Sequence, residues 1–125
     1  MLLKLDFSSD IPIYMQIRNQ IVLGISKGYL APGERLPTIR SMADESGINM
    51  MTVNKAYQLL KQEGYITTDR RNGVFVSSKT RKLPGLSDKS KETLRIILSE
   101  AYLNGMSKQD FLKLCENLFE ETERK

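Results

Sequence analysis

LPTIRSMADESGINMMTVNKAYQLLKQE, residues 36–63, reads as two short helices joined by a tight turn. Gly47 marks the turn, because a residue able to take positive φ ends a helix cheaply. Pro37 fixes φ ahead of the first helix, Thr38 or Asp44 supplies a cap or first-turn charge, and Asn49 caps the second helix. Within that second helix Val53, Ala56, Tyr57 and Leu60 recur at i, i+3, i+4, i+7, one apolar stripe facing a core. Met51, Thr52, Asn54, Lys55, Gln58 and Lys61 form the opposite face, and no carboxylate lies between Asn49 and Gln62. A helix apolar on one side and cationic on the other, presented by a short helix and a turn, has the form of a helix-turn-helix that enters a DNA major groove. The plainer reading is a helical hairpin with a solvated outer face.

Working outward, Ile13, Ile17, Ile21, Val22 and Ile25 repeat at helical spacing up to about Lys27, with Gln16, Arg18, Asn19 and Gln20 on the other faces and Gly28 as the stop. This is the third packing partner that a helix-turn-helix needs. Before it, Leu3, Leu5 and Phe7 alternate with Lys4 and Asp6, which suits a short strand or extended lead-in. A Pro-Gly turn and a short extended Arg35-Leu36 lead into the second helix. After Glu63-Gly64, Tyr65-Ile66-Thr67-Thr68 and Val74-Phe75-Val76 flank Asn72-Gly73, the strongest hairpin signal in the chain. A two-stranded hairpin is marginal alone and must lean on the helices, which makes it a wing. Its tip carries Arg70 and Arg71, suited to a phosphate or a narrow minor groove; the plainer reading is a surface hairpin with solubilising arginines. Helix, helix, helix, wing spells a winged helix-turn-helix over residues 1–77.

The stretch from Pro12 to Val76 resembles the DNA-binding domain of the GntR family of bacterial transcription regulators. The motifs are G-x-x-x-P-G-x-x-L-P over residues 28–37, Arg40 three residues later, T-V-x-x-A-Y over residues 52–57, E-G-Y-I over residues 63–66, and a wing closing on Phe75-Val76. The short tail and Lys55-Ala56-Tyr57 are similar to the YtrA-type subgroup. The resemblance implies that Arg40 reaches DNA from the second helix, and that Asn49, Met51, Thr52 and Asn54 are contact positions of the third. Together with Thr38, Met50, Lys55 and the wing residues Arg70, Arg71, Asn72 and Gly73, these form the expected DNA-binding set. Two departures stand out. Met50 lies where many relatives carry a basic residue or proline, so a guanine-reading arginine is missing there. Arg71-Asn72-Gly73 replaces the G-x-G common in family wings, exchanging close backbone approach for side-chain contacts.

Residues 78–86 are polar, basic and Pro-Gly punctuated, a linker whose Lys79, Arg81 and Lys82 either follow phosphates or stay solvated. In residues 87–125 two more helices are expected. The first starts at Ser87 or Asp88, carries Leu94, Ile97, Leu98, Ala101 and Tyr102, and stops at Asn104-Gly105. Ser107 and Asp110 then resemble a capping box ahead of Phe111, Leu114, Cys115, Leu118 and Phe119. A segment this short cannot enclose two apolar stripes alone. It packs either on the winged unit or on its copy in a second subunit, and the second option is expected because helix-turn-helix proteins present two recognition helices to a pseudo-palindromic site. The resemblance implies the same, since short YtrA-type tails are dimerisation helices. The fold class is mainly α with a small β wing, plus a C-terminal two-helix dimerisation segment.

The 125 residues are 40% hydrophobic and 27% charged, the balance of a globular protein, with a net charge of +4. That charge is divided evenly: 9 Lys/Arg against 7 Asp/Glu in residues 1–78, and 10 against 8 in residues 79–125. A nucleic-acid surface must therefore come from placement. The single Cys115 rules out an intramolecular disulfide. No apolar run approaches the ~18 residues of a membrane span, MLLKLDF lacks the form of a signal peptide, and the cytoplasm is the expected compartment. With no histidine, no phosphate-loop motif and a lone thiol on an apolar stripe, neither enzyme activity nor a cofactor nor a metal is expected. The expected function is a homodimeric transcription regulator, a repressor, on double-stranded operator DNA. The alternative is a winged-helix module that binds a protein or RNA without operator specificity. Whether a small-molecule effector acts on it is not written in the sequence.

Overall fold

The computed structural model describes residues 3–78 and 85–123, and the chain divides between Lys79 and Thr80 into two compact units. The first contains α1 (Ile13–Ser26), β1 (Arg35–Leu36), α2 (Ile39–Ser46), α3 (Met50–Gln62), β2 (Ile66–Asp69) and β3 (Gly73–Val76). The second contains α4 (Asp88–Leu103) and α5 (Lys108–Glu123). The cations proposed for the linker, Lys79, Arg81 and Lys82, lie outside the described residues.

The first unit is closed by one core. Ile17 and Ile21 of α1, Met42 and Ala43 of α2, and Val53, Ala56, Tyr57 and Leu60 of α3 meet Leu30, Leu36, Ile66 and Val76, all buried. The i, i+3, i+4, i+7 stripe of α3 is the buried one. The turn between α2 and α3 is formed by Gly47 at φ 67°, with the Ile48 amide reaching back to the Ala43 carbonyl at 3.1 Å. Thr38 and Asn49 cap the two helices through bonds from the amides of Ser41 (3.0 Å) and Met51 (2.7 Å).

The sheet is larger than the expected hairpin. It has three antiparallel strands in the order β1-β3-β2, with Arg35 opposite Phe75 and Leu36 opposite Val74. The extended Arg35-Leu36 is thus an edge strand, and the wing is anchored to the residues that lead into α2. The hairpin loop also differs from a two-residue Asn-Gly turn. Asp69 pairs with Gly73, so Arg70, Arg71 and Asn72 form a three-residue loop. The Asp69 carboxylate closes it, accepting bonds from the Arg71 amide (2.9 Å) and the Asn72 side chain (2.8 Å). Gly73, at φ 107°, takes a backbone conformation that a residue with a side chain rarely adopts, and a β-carbon there would lie 3.2 Å from the Arg35 guanidinium.

The lead-in is not a strand. Leu3 and Leu5 pack half-buried on the core while Phe7 is exposed. Two glutamines one helical turn apart on α1 hold the backbone instead. Gln16 accepts from the Asp6 amide (2.8 Å) and donates to the Asp6 and Ile11 carbonyls (2.9 and 2.8 Å). Gln20 accepts from the Lys4 amide and donates to the Lys4 carbonyl. Gln16, placed on a polar face by its residue type, is therefore buried, with its amide fully paired.

In the second unit Ser87 caps α4 by accepting from the Ser90 amide at 3.1 Å. Gly105 carries the chain round at φ 85°, with the Met106 amide bonded to the Ala101 carbonyl. The Ser107 hydroxyl accepts from the Asp110 amide at 3.0 Å and starts α5. No residue of either helix is buried. The helices are well formed, but their apolar faces are largely exposed.

Candidate nucleic-acid interface

The outer face of α3 follows from its inner one. With Val53, Ala56, Tyr57 and Leu60 fixed in the core, helical geometry turns Met51, Asn54, Lys55, Gln58 and Lys61 outward, and all five are exposed. Met50 is exposed, while Thr52 is half-buried at the edge. The Tyr57 hydroxyl, inside the core, donates to the Pro37 carbonyl at 2.7 Å. Burial keeps this phenol protonated well above the ordinary tyrosine range. The bond ties α3 to Pro37, just ahead of the Thr38 cap, so the start of α2, with Thr38 and Arg40 exposed on it, is held in register with α3.

The expected site residues divide by what their polar atoms already do. The Thr38 oxygen and the Asn49 carbonyl are engaged as caps, leaving the Thr38 hydroxyl hydrogen and the Asn49 amide group as donors at two helix N-termini. Arg40, Arg70 and Arg71 are exposed cations. Asn72 belongs to the loop itself, since its amide nitrogen is bonded to Asp69. The bonds from Arg71 and Asn72 hold the Asp69 carboxyl below its ordinary pKa, so the loop is closed at neutral pH. Gly73 is half-buried against Arg35, not presented at the tip.

Lys55 is exposed, yet its ammonium lies 4.1 Å from the centre of the Tyr14 ring, on the first turn of α1. Farther along the same α1/α3 edge Arg18 forms a two-pronged ion pair with Glu63 (2.8 and 3.1 Å) and lies over the Tyr65 ring. Sequence reasoning missed both Tyr14 and Arg35 as neighbours of the interface. The signal for Arg35 was its place in the strand-forming dipeptide before Pro37; for Tyr14 no sequence signal exists, because the contact joins residues 41 positions apart.

Of the residues expected to assemble two chains, Leu94, Ile97, Leu98, Leu114, Leu118 and Phe119 are exposed, with Phe119 at 69%. Ala101, Phe111 and Cys115 are half-buried. Ile96, Leu103 and Leu112 are exposed as well, outside the expected stripes, so apolar surface extends beyond one face of each helix.

The model of the bacterial regulatory proteins of the gntR family matches residues 13–76, from the start of α1 to the end of β3. The chain belongs to the GntR family. Within that family it is of the YtrA type: it is 36% identical to the HTH-type transcriptional repressor YtrA of Bacillus subtilis, over 84% of this chain and 82% of the relative. The whole chain aligns with the crystal structure of a transcriptional antiterminator from Listeria monocytogenes EGD-e, at TM-score 0.80 and 31% identity, covering 95% of that protein. The DNA-binding domain of AraR, solved in complex with operator ORX1, aligns with 60% of this chain at TM-score 0.53 and 26% identity, covering 93% of that domain. The GntR winged helix-turn-helix is thus a DNA-binding, transcription-regulating fold, and α1 to β3 form it here. Among the described residues no helix is long and apolar enough to cross a membrane.

Proposed function

We propose that this GntR-family chain is a cytoplasmic homodimeric repressor that binds a pseudo-palindromic operator. Residues 1–77 bind DNA and residues 87–125 join two copies. The observation that carries this reading is the outer face of α3: exposed, free of carboxylates and carrying Asn54, Lys55, Gln58 and Lys61, in a unit that also exposes Arg40 and the wing arginines Arg70 and Arg71. Repression is proposed from the likeness to YtrA of Bacillus subtilis.

The mechanism follows from the residue types. The first half of α3 lies in the major groove, where Asn54 and Thr52 hydrogen-bond base edges and Met51 contacts a thymine methyl. With Met50 at the start of the helix, guanine reading falls to Arg40. The Thr38 hydroxyl and the Asn49 amide group, with the helix N-termini behind them, take phosphates. Arg70 and Arg71 follow the backbone or the narrow groove beside it, while Asn72 and Gly73 keep the loop in shape. The apolar faces of α4 and α5, including Leu94, Ile97, Leu98, Leu114, Leu118 and Phe119, are covered by those of a second chain.

The test is a titration of a selected operator duplex, a random DNA duplex and an RNA duplex at several salt concentrations. For ~6–10 phosphate contacts per dimer, log K falls with log[salt] at a slope of about −5 to −9. Operator is bound more tightly than either competitor. A flat salt response, or equal affinity for operator and random DNA, contradicts the proposal; preference for RNA favours an RNA-binding module.

A further inference from the structure

The geometry points to Tyr14 as a positioning residue for DNA binding, fixing Lys55 as a phosphate contact instead of a base reader; this rests on the reading of α3 as the DNA-facing helix. By spacing alone Lys55 belongs to the outward face of α3, beside Met51, Asn54 and Gln58. A free lysine there reaches into a groove as readily as towards its rim. In the structure its ammonium lies over the Tyr14 ring at 4.1 Å, drawn across to the neighbouring helix α1. A ring face attracts a cation without neutralising it. Arg18, one turn farther along α1, is different, since its charge is matched by Glu63. Among the described residues no carboxylate pairs with Lys55. The α1/α3 edge therefore carries one compensated and one uncompensated cation, and the latter is held away from the centre of the α3 face.

Two consequences follow for binding. A lysine already restrained loses less side-chain freedom when it meets a phosphate, so the ring contributes to affinity through Lys55. A cation held at the helix flank meets the sugar-phosphate backbone, which carries no sequence information, so the contribution is equal for all sequences. The ring does this work and the hydroxyl does not. Tyr14 is half-buried and packs on the core, so its replacement must keep an apolar side chain.

The test compares Lys55→Ala, Tyr14→Leu, Tyr14→Phe and the Tyr14→Leu/Lys55→Ala double variant with wild type, on a selected operator duplex and a random duplex. Lys55→Ala is expected to weaken both duplexes by the same factor and to make the salt slope shallower by about one per half-site. Tyr14→Leu is expected to weaken both about two- to fivefold per half-site. Tyr14→Phe should match wild type, and the double variant should match Lys55→Ala alone. Additive losses in the double variant, equal losses in Tyr14→Phe and Tyr14→Leu, or a Lys55→Ala loss confined to operator would overturn the inference while leaving the DNA reading intact. If wild type binds neither duplex, the DNA reading falls and this inference with it. Should Tyr14→Leu unfold, the proton spectrum of wild type decides: Lys55 ε-methylene signals shifted upfield by the ring, free and DNA-bound, support the positioning role, and unshifted signals overturn it.

Discussion

The two units are built from similar helices and differ in what those helices touch. In the first, α1, α2 and α3 close on Ile17, Ile21, Val53 and Leu60, each with no exposed surface. In the second, α4 and α5 are as long as any helix of the first and equally well capped, yet none of their residues is more than half-buried. Apolar periodicity thus states that a helix has a face to cover, and does not state what covers it. The first unit covers its own faces because three helices and a sheet surround one centre. Two helices leave each other's outer surfaces open.

The largest expected effect separates the units. Leu114→Asp places an unpaired carboxylate in the proposed apolar contact, a penalty of several kcal/mol. Sedimentation should show monomers, circular dichroism should show the winged unit still folded, and operator affinity should fall towards that of one half-site. Loss of the whole fold would mean the two units share one core. The converse change, Leu60→Ala, should destabilise the winged unit by about 2–5 kcal/mol, read from denaturant unfolding, because it opens a cavity in a closed core.

Within the winged unit the contrast is between reading and holding residues. Arg40→Ala is expected to cost about 1–3 kcal/mol per half-site for operator, with less loss for random DNA, whereas Lys61→Ala should weaken both duplexes alike. An unchanged operator affinity for a folded Arg40→Ala removes that arginine from the site. Gly73→Ala should cost about 1–2 kcal/mol in thermal stability through its positive φ, and it also crowds Arg35 at the wing base.

The smallest effect is a titration. Asp69 accepts bonds from Arg71 and Asn72 that lower its pKa from the ordinary 3.8. A lowered folded pKa stabilises the loop fully above the unfolded value and ceases to do so as pH falls through the folded one. The Arg71 amide resonance should therefore titrate below pH 3.8, and Asp69→Asn should abolish that titration.

How far the fold was legible in the sequence varies with the range of the interaction that sets each part. Caps and stops are local: Thr38, Gly47, Asn49, Ser87 and Ser107 act on amides or turns within a few residues, and each does what its type suggests. The stripe of α3 was equally plain, because four apolar residues at helical spacing admit one buried face. A two-residue strand has no periodicity, so the pairing of Arg35-Leu36 with Val74-Phe75 was invisible. Asn72-Gly73 signalled the hairpin, but the Asp69 carboxylate selected a three-residue loop. Burial of Gln16 was likewise hidden, since it depends on irregular lead-in backbone, at Asp6 and Ile11, needing partners. In the proposed site, exposure of Arg40, Asn54 and the wing arginines followed from the pattern, while the engagement of Lys55 by Tyr14 needed the packing of α1 on α3.

Selection of duplexes from a random-sequence pool by the wild-type chain tests the central claim most directly. The account predicts enrichment of two inverted half-sites whose centres lie about one helical turn apart, bound far more tightly than either half alone. Enrichment of a single half-site, or of no sequence at all, would contradict it.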